Sequence, residues 1–332
     1  MRAVTFTRAL GAPLACALLT AGLIGPVSAQ TDAGPYPSKP IRIVVGFAAG
    51  GGNDLVARIV GPKLSEIISQ PVVVENRPGA AGQLAVVYAQ SQPSDGYTMV
   101  IGATGQLAIA TAIHANLPFH PTRTLMPLTL LASYWLLIAG STHHEISSLK
   151  DLVAFAKAHP EKANYPSSSP AFTIPAELFK LKTGMPGQTI PYKSTNEMLL
   201  SIAAGQTLFG FADPPIAIPL VQGGKIRALA MTGPGRLPDL PDVPTVTEAG
   251  FGNIDIRLQW IGAFVAAGTP PAIAHKLEAS LRQAVADPAT REKLKGVGYT
   301  PDGRGGEEFR QLIDADIKAY ADVVKAANLS FD

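Results

Sequence analysis

The chain has 332 residues, with 27 Lys or Arg against 25 Asp or Glu, 32 Gly, 29 Pro and 16% charged positions. A near-neutral charge excludes the basic footprint that nucleic acid or an anionic membrane surface recruits. A single cysteine, Cys16, excludes both a disulfide framework and a thiolate metal site.

Arg2 and Arg8 form a short basic lead, and Ala9 to Ile24 is an apolar run interrupted by small residues and Thr20. Val27-Ser28-Ala29 ends that stretch in the small-x-small pattern of a cleavage site. Residues 1–29 therefore read as a signal peptide cut after Ala29, which places the mature protein in the periplasm. The run is too short and too broken for the ~20 apolar residues of a spanning helix. Cys16 follows Pro13-Leu14-Ala15, a poor context for lipidation. Export leaves about 300 residues, enough for two domains with cores of their own.

Ile41 to Val45 reads as a buried strand, and Ala48-Ala49-Gly50-Gly51-Gly52-Asn53-Asp54 as a turn. Leu55 to Ile68 carries apolar residues at helical spacing. Pro71 to Glu75 is a second strand, Gln83 to Gln90 a second helix and Tyr97 to Ile101 a third strand, which predicts a parallel sheet covered on both faces. A bridging stretch spans Leu128–Ile138. Ser148-x-x-Asp151 then has the shape of a capping box opening a helix that runs to His159-Pro160. Strands at 163–165, 189–192, 208–211 and 226–231 alternate with helices from Ile174, at 196–204 and at 216–222. Trp260 to Val265 returns as a strand before helices at 271–286, 289–297 and 307–327. This order predicts two doubly wound α/β lobes with a ligand cleft between them. Residues 36–135 with 258–332 form the first lobe, and 136–257 the second.

The glycine-rich turn is the best candidate for chemistry. A strand-to-helix turn points free amides outward with the helix dipole behind them, which favours an anion. A tight turn without a ligand is the plain alternative. A dinucleotide site, and with it an oxidoreductase, fails because the third glycine of G-x-G-x-x-G would be Leu55. Gly102 to Gln106 and Ser167-Ser168-Ser169 follow further strands, where open α/β sheets bind ligands. Asp213, ahead of Pro214-Pro215, is a ligand or hinge residue, or else an Asx-turn or helix cap. No nucleophile–base pair and no metal spacing stands out, so the chain reads as a binding protein without catalytic residues, metal or cofactor. It is expected to act as a monomer.

Seven tracts along the mature chain carry a resemblance. They include Gly50-Gly51-Gly52-Asn53-Asp54, Val74-Glu75-Asn76-Arg77-Pro78-Gly79, Asp95-Gly96-Tyr97-Thr98, Gly224-Lys225-Ile226-Arg227-Ala228 and Leu240-Pro241-Asp242-Val243-Pro244. The sequence resembles the Bug family, the extracytoplasmic solute-binding proteins of tripartite tricarboxylate transporters. That resemblance implies a type II periplasmic-binding fold whose lobes close on a small carboxylate and deliver it to membrane partners. It implicates Phe47, Ala49, Gly50, Gly51, Gly52, Asn53, Asp54, Thr104, Gly105, Gln106, Ser167, Ser168, Ser169, Phe172, Thr195 and Asp213. Ala49 stands where the family loop usually has proline, and Pro170 and Phe172 enter the usually glycine- and serine-rich second loop. The pocket should therefore be less polar on one side and suit a benzoate-like or terephthalate-like acid stacked on Phe172 or Trp260. An aliphatic dicarboxylate is the alternative.

Overall fold

The structure, a computed structural model, describes residues 36–254 and 256–326, so the stretch read as a signal peptide lies outside the described residues. β1 (Ile41–Val45) leads through the glycine turn into α1 (Gly52–Ile68), and β2 (Val72–Asn76), α2 (Gln83–Ser91) and β3 (Thr98–Ala103) follow. A short α3 (Ala110–Ile113) precedes β4 (Leu125–Tyr134) and β5 (Leu137–Ser141), which run almost end to end. Next come α4 (Leu149–Ala158), β6 (Asn164–Ser167), α5 (Pro170–Thr183) and β7 (Gln188–Pro191). α6 (Thr195–Ala203), β8 (Phe209–Ala212), α7 (Pro214–Gln222) and β9 (Ile226–Met231) continue the alternation. β10 (Gln259–Ala266), α8 (Pro271–Ala286), α9 (Pro288–Lys295), β11 (Thr300–Pro301) and α10 (Gly306–Ala326) close the chain.

A six-stranded sheet has the order β11-β4-β10-β3-β1-β2. β1 pairs parallel with β2 and β3, but β10 runs antiparallel to β3 and β4, so the sheet is mixed and not purely parallel. β5 lies antiparallel between β8 and β9, and β6 pairs parallel with β7 in a separate ladder. The stretch expected to bridge is itself strand. β4 buries nearly every residue, which a continuous apolar run allows when both faces are covered.

Val56, Val60, Leu64 and Ile68 of α1 recur every four residues and are buried against the sheet. Pro62 is tolerated inside this helix because it stands on the solvent face, where water can satisfy the carbonyl it leaves unpaired. The helix begins three residues before the predicted Leu55, inside the glycine turn. At α4 the Ser148 cap forms where it was predicted: Ser148 Oγ accepts from the Asp151 amide at 3.1 Å, and Asp151 Oδ2 reaches back one residue beyond the cap to accept from the Ser147 amide at 3.1 Å. α8 packs on α1 and β4, and α10 on β4.

Candidate functional site

The carboxyl ends of β1, β2, β3, β6, β7 and β8 face one cavity of about 400 Å³. From the turn after β1 come Phe47, Ala49 and Gly51 to Asn53. Gly79 to Gly82 arrive after β2, and Ala103 and Gly105 after β3. Ser168, Ser169, Ala171 and Phe172 open α5, while Tyr192, Lys193 and Thr195 lead into α6. Asp213 and Ile216 open α7, and Tyr134 ends β4. A Cβ on Gly105 would come within 2.7 Å of the Ala171 Cβ, so a glycine there lets the β3 and α5 loops close up.

The start of α1 is uncapped by any side chain. Its first intrahelical bond is from the Leu55 amide to the Gly51 carbonyl at 2.9 Å, and the amides of Gly52, Asn53 and Asp54 donate to no described group. Gly50 holds φ +81°, the left-handed conformation that glycine adopts without steric cost. Beside it the Asn53 Nδ2 is buried with no partner. Gly52 and Asn53, with their unused amides and the Asn53 Nδ2, line the cavity at the positive end of a 17-residue helix.

The other helix starts differ in what they present. At α6, Ser194 Oγ accepts from the Glu197 amide at 3.2 Å, and Glu197 Oε2 reaches past the N-cap to accept from the Lys193 amide at 3.1 Å. The Thr195 and Asn196 amides donate to no described group. At α5, Pro170 removes one amide and leaves that of Ala171. At α7, Pro214 and Pro215 remove both. Ala80 and Ala81 hold φ of +47° and +50°, which costs a non-glycine residue about 1–2 kcal/mol each and shapes one wall of the cavity.

The family description "Tripartite tricarboxylate transporter family receptor" matches residues 56–329. The chain belongs to that receptor family. BugT of Bordetella pertussis is 29% identical over 93% of this chain and 94% of its own length. A solved R. palustris protein, Rpa4515 with adipate, is 29% identical with a TM-score of 0.84, covering 89% of this chain and all but 1% of the other (99%). MatC from Rhodopseudomonas palustris with bound malate is 27% identical with a TM-score of 0.80, covering 87% of this chain and 100% of the other. The transporter receptor is accordingly a two-lobed periplasmic solute-binding protein and not an enzyme. No helix among its described residues is long and apolar enough to cross a membrane.

Of the positions predicted for this receptor, Phe47, Ala49, Gly51, Gly52, Asn53, Gly105, Ser168, Ser169, Phe172, Thr195 and Asp213 line the cavity. Asp54, Thr104, Gln106 and Ser167 are buried behind the wall and hold it, while Gly50 is exposed in the turn. Burial would raise the Asp54 carboxyl, but Arg58, the Gly50 amide and Asn76 hold it below its ordinary value. Its contacts are Arg58 Nε at 2.9 Å, the Gly50 amide at 2.9 Å and Asn76 Nδ2 at 2.9 Å, so Asp54 locks the glycine turn to β2. Thr104 Oγ1 accepts from the Trp260 amide at 2.8 Å, and Gln106 Nε2 donates to the Gly82 carbonyl at 2.7 Å. Ser167 Oγ donates to the Ser169 carbonyl at 2.9 Å.

Trp260 corrects the stacking expectation. It is fully buried, outside the cavity, packed on Phe264 and Phe309, and its Nε1 donates to Asp316 Oδ2 at 2.8 Å. Alternation on β10 puts its side chain in a core cluster with Val44, Val100 and Phe309, while Ile261 joins the cluster on the other face. Sequence reasoning also missed Gly79 to Gly82, Tyr134 and Lys193 as lining residues. The strand-end rule that selected the other loops reaches the loops after β2 and β7 as well. Tyr134 had no such signal.

Proposed function

We propose that this receptor captures a small carboxylate in the cavity, with the acid group on the start of α1, and presents it to the membrane components of a tripartite transporter. The observation that carries this reading is the uncapped α1 turn, where three amides and the buried Asn53 Nδ2 lack acceptors. A carboxylate supplies four lone-pair sites and a negative charge at that spot. Phe47, Phe172 and the alanines at 49, 80, 81, 103 and 171 make much of the remaining wall apolar. That wall favours an acid with a flat apolar body, benzoate-like or terephthalate-like, over a short hydroxyacid.

An aliphatic dicarboxylate is the second reading, favoured by the relatives solved with adipate and with malate. Lys193 and the unused amides of α6 would then meet the second acid group.

Calorimetry of the protein against benzoate, terephthalate, adipate and malate separates the two. Tight binding of an aromatic acid, weakened in Phe172→Leu, supports the first. Preference for adipate or malate with Phe172→Leu unaffected supports the second, and silence with all four acids removes the carboxylate reading.

A further inference from the structure

Asp213 ends β8 and stands immediately before α7. An aspartate in that place ordinarily caps its own helix, but the next two residues are prolines and its side chain makes no capping bond. The carboxyl turns instead into the cavity, with Oδ2 at 3.4 Å from where a Cβ on Gly52 would lie. It is only 7% exposed, and its Oδ1 is buried without a partner. From β4 the Tyr134 hydroxyl hydrogen-bonds it, and from the segment ahead of β11 the Tyr299 hydroxyl lies beside Gly52. α1 brings Gly52 and Asn53, which do not titrate, while Asp54 is engaged with Arg58 and Asn76. Lys193 lines the same cavity from the loop after β7, but no Lys or Arg among the described residues forms an ion pair with Asp213.

The start of α1 therefore has to serve two acids, a docked ligand carboxylate and Asp213. The helix end supplies only about half a positive charge, so two adjacent buried carboxylates cannot both stay ionised without large repulsion. We infer that Asp213 takes up one proton from solvent as a ligand carboxylate docks on α1, and then donates its O–H to that ligand. The inference rests on the carboxylate reading above. Burial alone already pushes the Asp213 carboxyl up to about 6, with the Tyr134 hydrogen bond opposing. A ligand anion next to it raises it further. Affinity is then greatest below about pH 6 and falls by up to tenfold per pH unit above it, until the bound-state value is passed.

The test is calorimetry with terephthalate and with adipate from pH ~6 to ~8.5, where ordinary carboxyls near ~4.3 are already ionised. Each titration is repeated in buffers of different protonation enthalpy. The expected result near neutral pH is net uptake of up to one proton per ligand, with affinity falling as pH rises. Asp213→Asn, whose amide is a permanent donor, should show no proton uptake and pH-independent binding. Binding by the wild type with no uptake and a flat pH profile overturns this inference alone. So does loss of binding at every pH in a normally folded Asp213→Asn, because that result marks an ionised acceptor. No heat at pH ~6, where binding is required to be tightest, with these two probes and with benzoate and malate as well, overturns it together with the carboxylate reading.

Discussion

The Tyr299 hydroxyl fills the space that a Cβ on Gly52 would need. Tyr299 is 2% exposed, rests edge-on against Tyr134 at 5.2 Å between ring centroids, and leaves its hydroxyl without a partner. Two glycines of the same turn are thus required for different reasons: Gly50 for its backbone conformation and Gly52 for the room it leaves a ring from the far end of the chain.

Gly52→Ala should destabilise the protein by about 1–3 kcal/mol through overpacking. Adding Tyr299→Phe should recover most of that loss, since the next ring atom, Cζ, lies at an ordinary 3.5 Å from the new methyl. Thermal melts of the two single variants and the double variant check this, and additive losses would show that the hydroxyl is not the obstacle.

Asp213 makes stability depend on pH in a definite direction. Its folded-state value, about 6, stands above the 3.8 of an unhindered aspartate. The folded protein therefore binds the proton more tightly than the unfolded chain. The associated stability is fully present below pH ~4 and is lost as pH rises through ~6, amounting to about 3 kcal/mol by neutral pH. In the absence of ligand, Asp213→Asn should melt several degrees higher than the wild type at pH ~8, and the gap should close near pH ~4. An equal gap at both values would assign the effect to packing.

Trp260→Phe keeps the aromatic packing but removes the donor to Asp316, which is 1% exposed and otherwise held by Arg257. The expected cost is about 2 kcal/mol, the worth of a hydrogen bond to a charged group. Carboxylate affinity should not change, because Trp260 does not line the cavity. A tenfold loss of affinity in a variant that still melts cooperatively would return Trp260 to the site.

Asn53→Ala removes a buried donor that has no partner among the described residues. Stability should hold or rise slightly. Affinity for a bound carboxylate should fall by about 1.5–3 kcal/mol, roughly ten- to a hundred-fold. Calorimetry beside a thermal melt separates the two effects, and unchanged affinity would remove Asn53 from the acid-binding group.

Most elements were legible because their signals are local. Alternating apolar strands and helices, Gly205 after α6, and Ser148 with Asp151 at α4 each declare themselves within a few residues. The first three strands were read as parallel, and β1 does pair parallel with β2 and β3, but the antiparallel direction of the return strand β10 between β3 and β4 was not read. Strand direction there is set by how the chain comes back from the second set of strands, which no short window contains.

The candidate site divides the same way. The sequence by itself determined the receptor family, the strand-end loops and the glycine turn, since each depends on residues adjacent along the chain. Only the tertiary structure decided what those residues face. It turned Trp260 into the core, made Asp54 a brace for the turn, brought Tyr134 and Tyr299 against Gly52, and left Asp213 buried beside α1. Burial and partnership are set by atoms contributed from distant segments, and it is the low dielectric and the lack of an ion pair at Asp213 among the described residues that give its carboxyl the chemistry proposed for it.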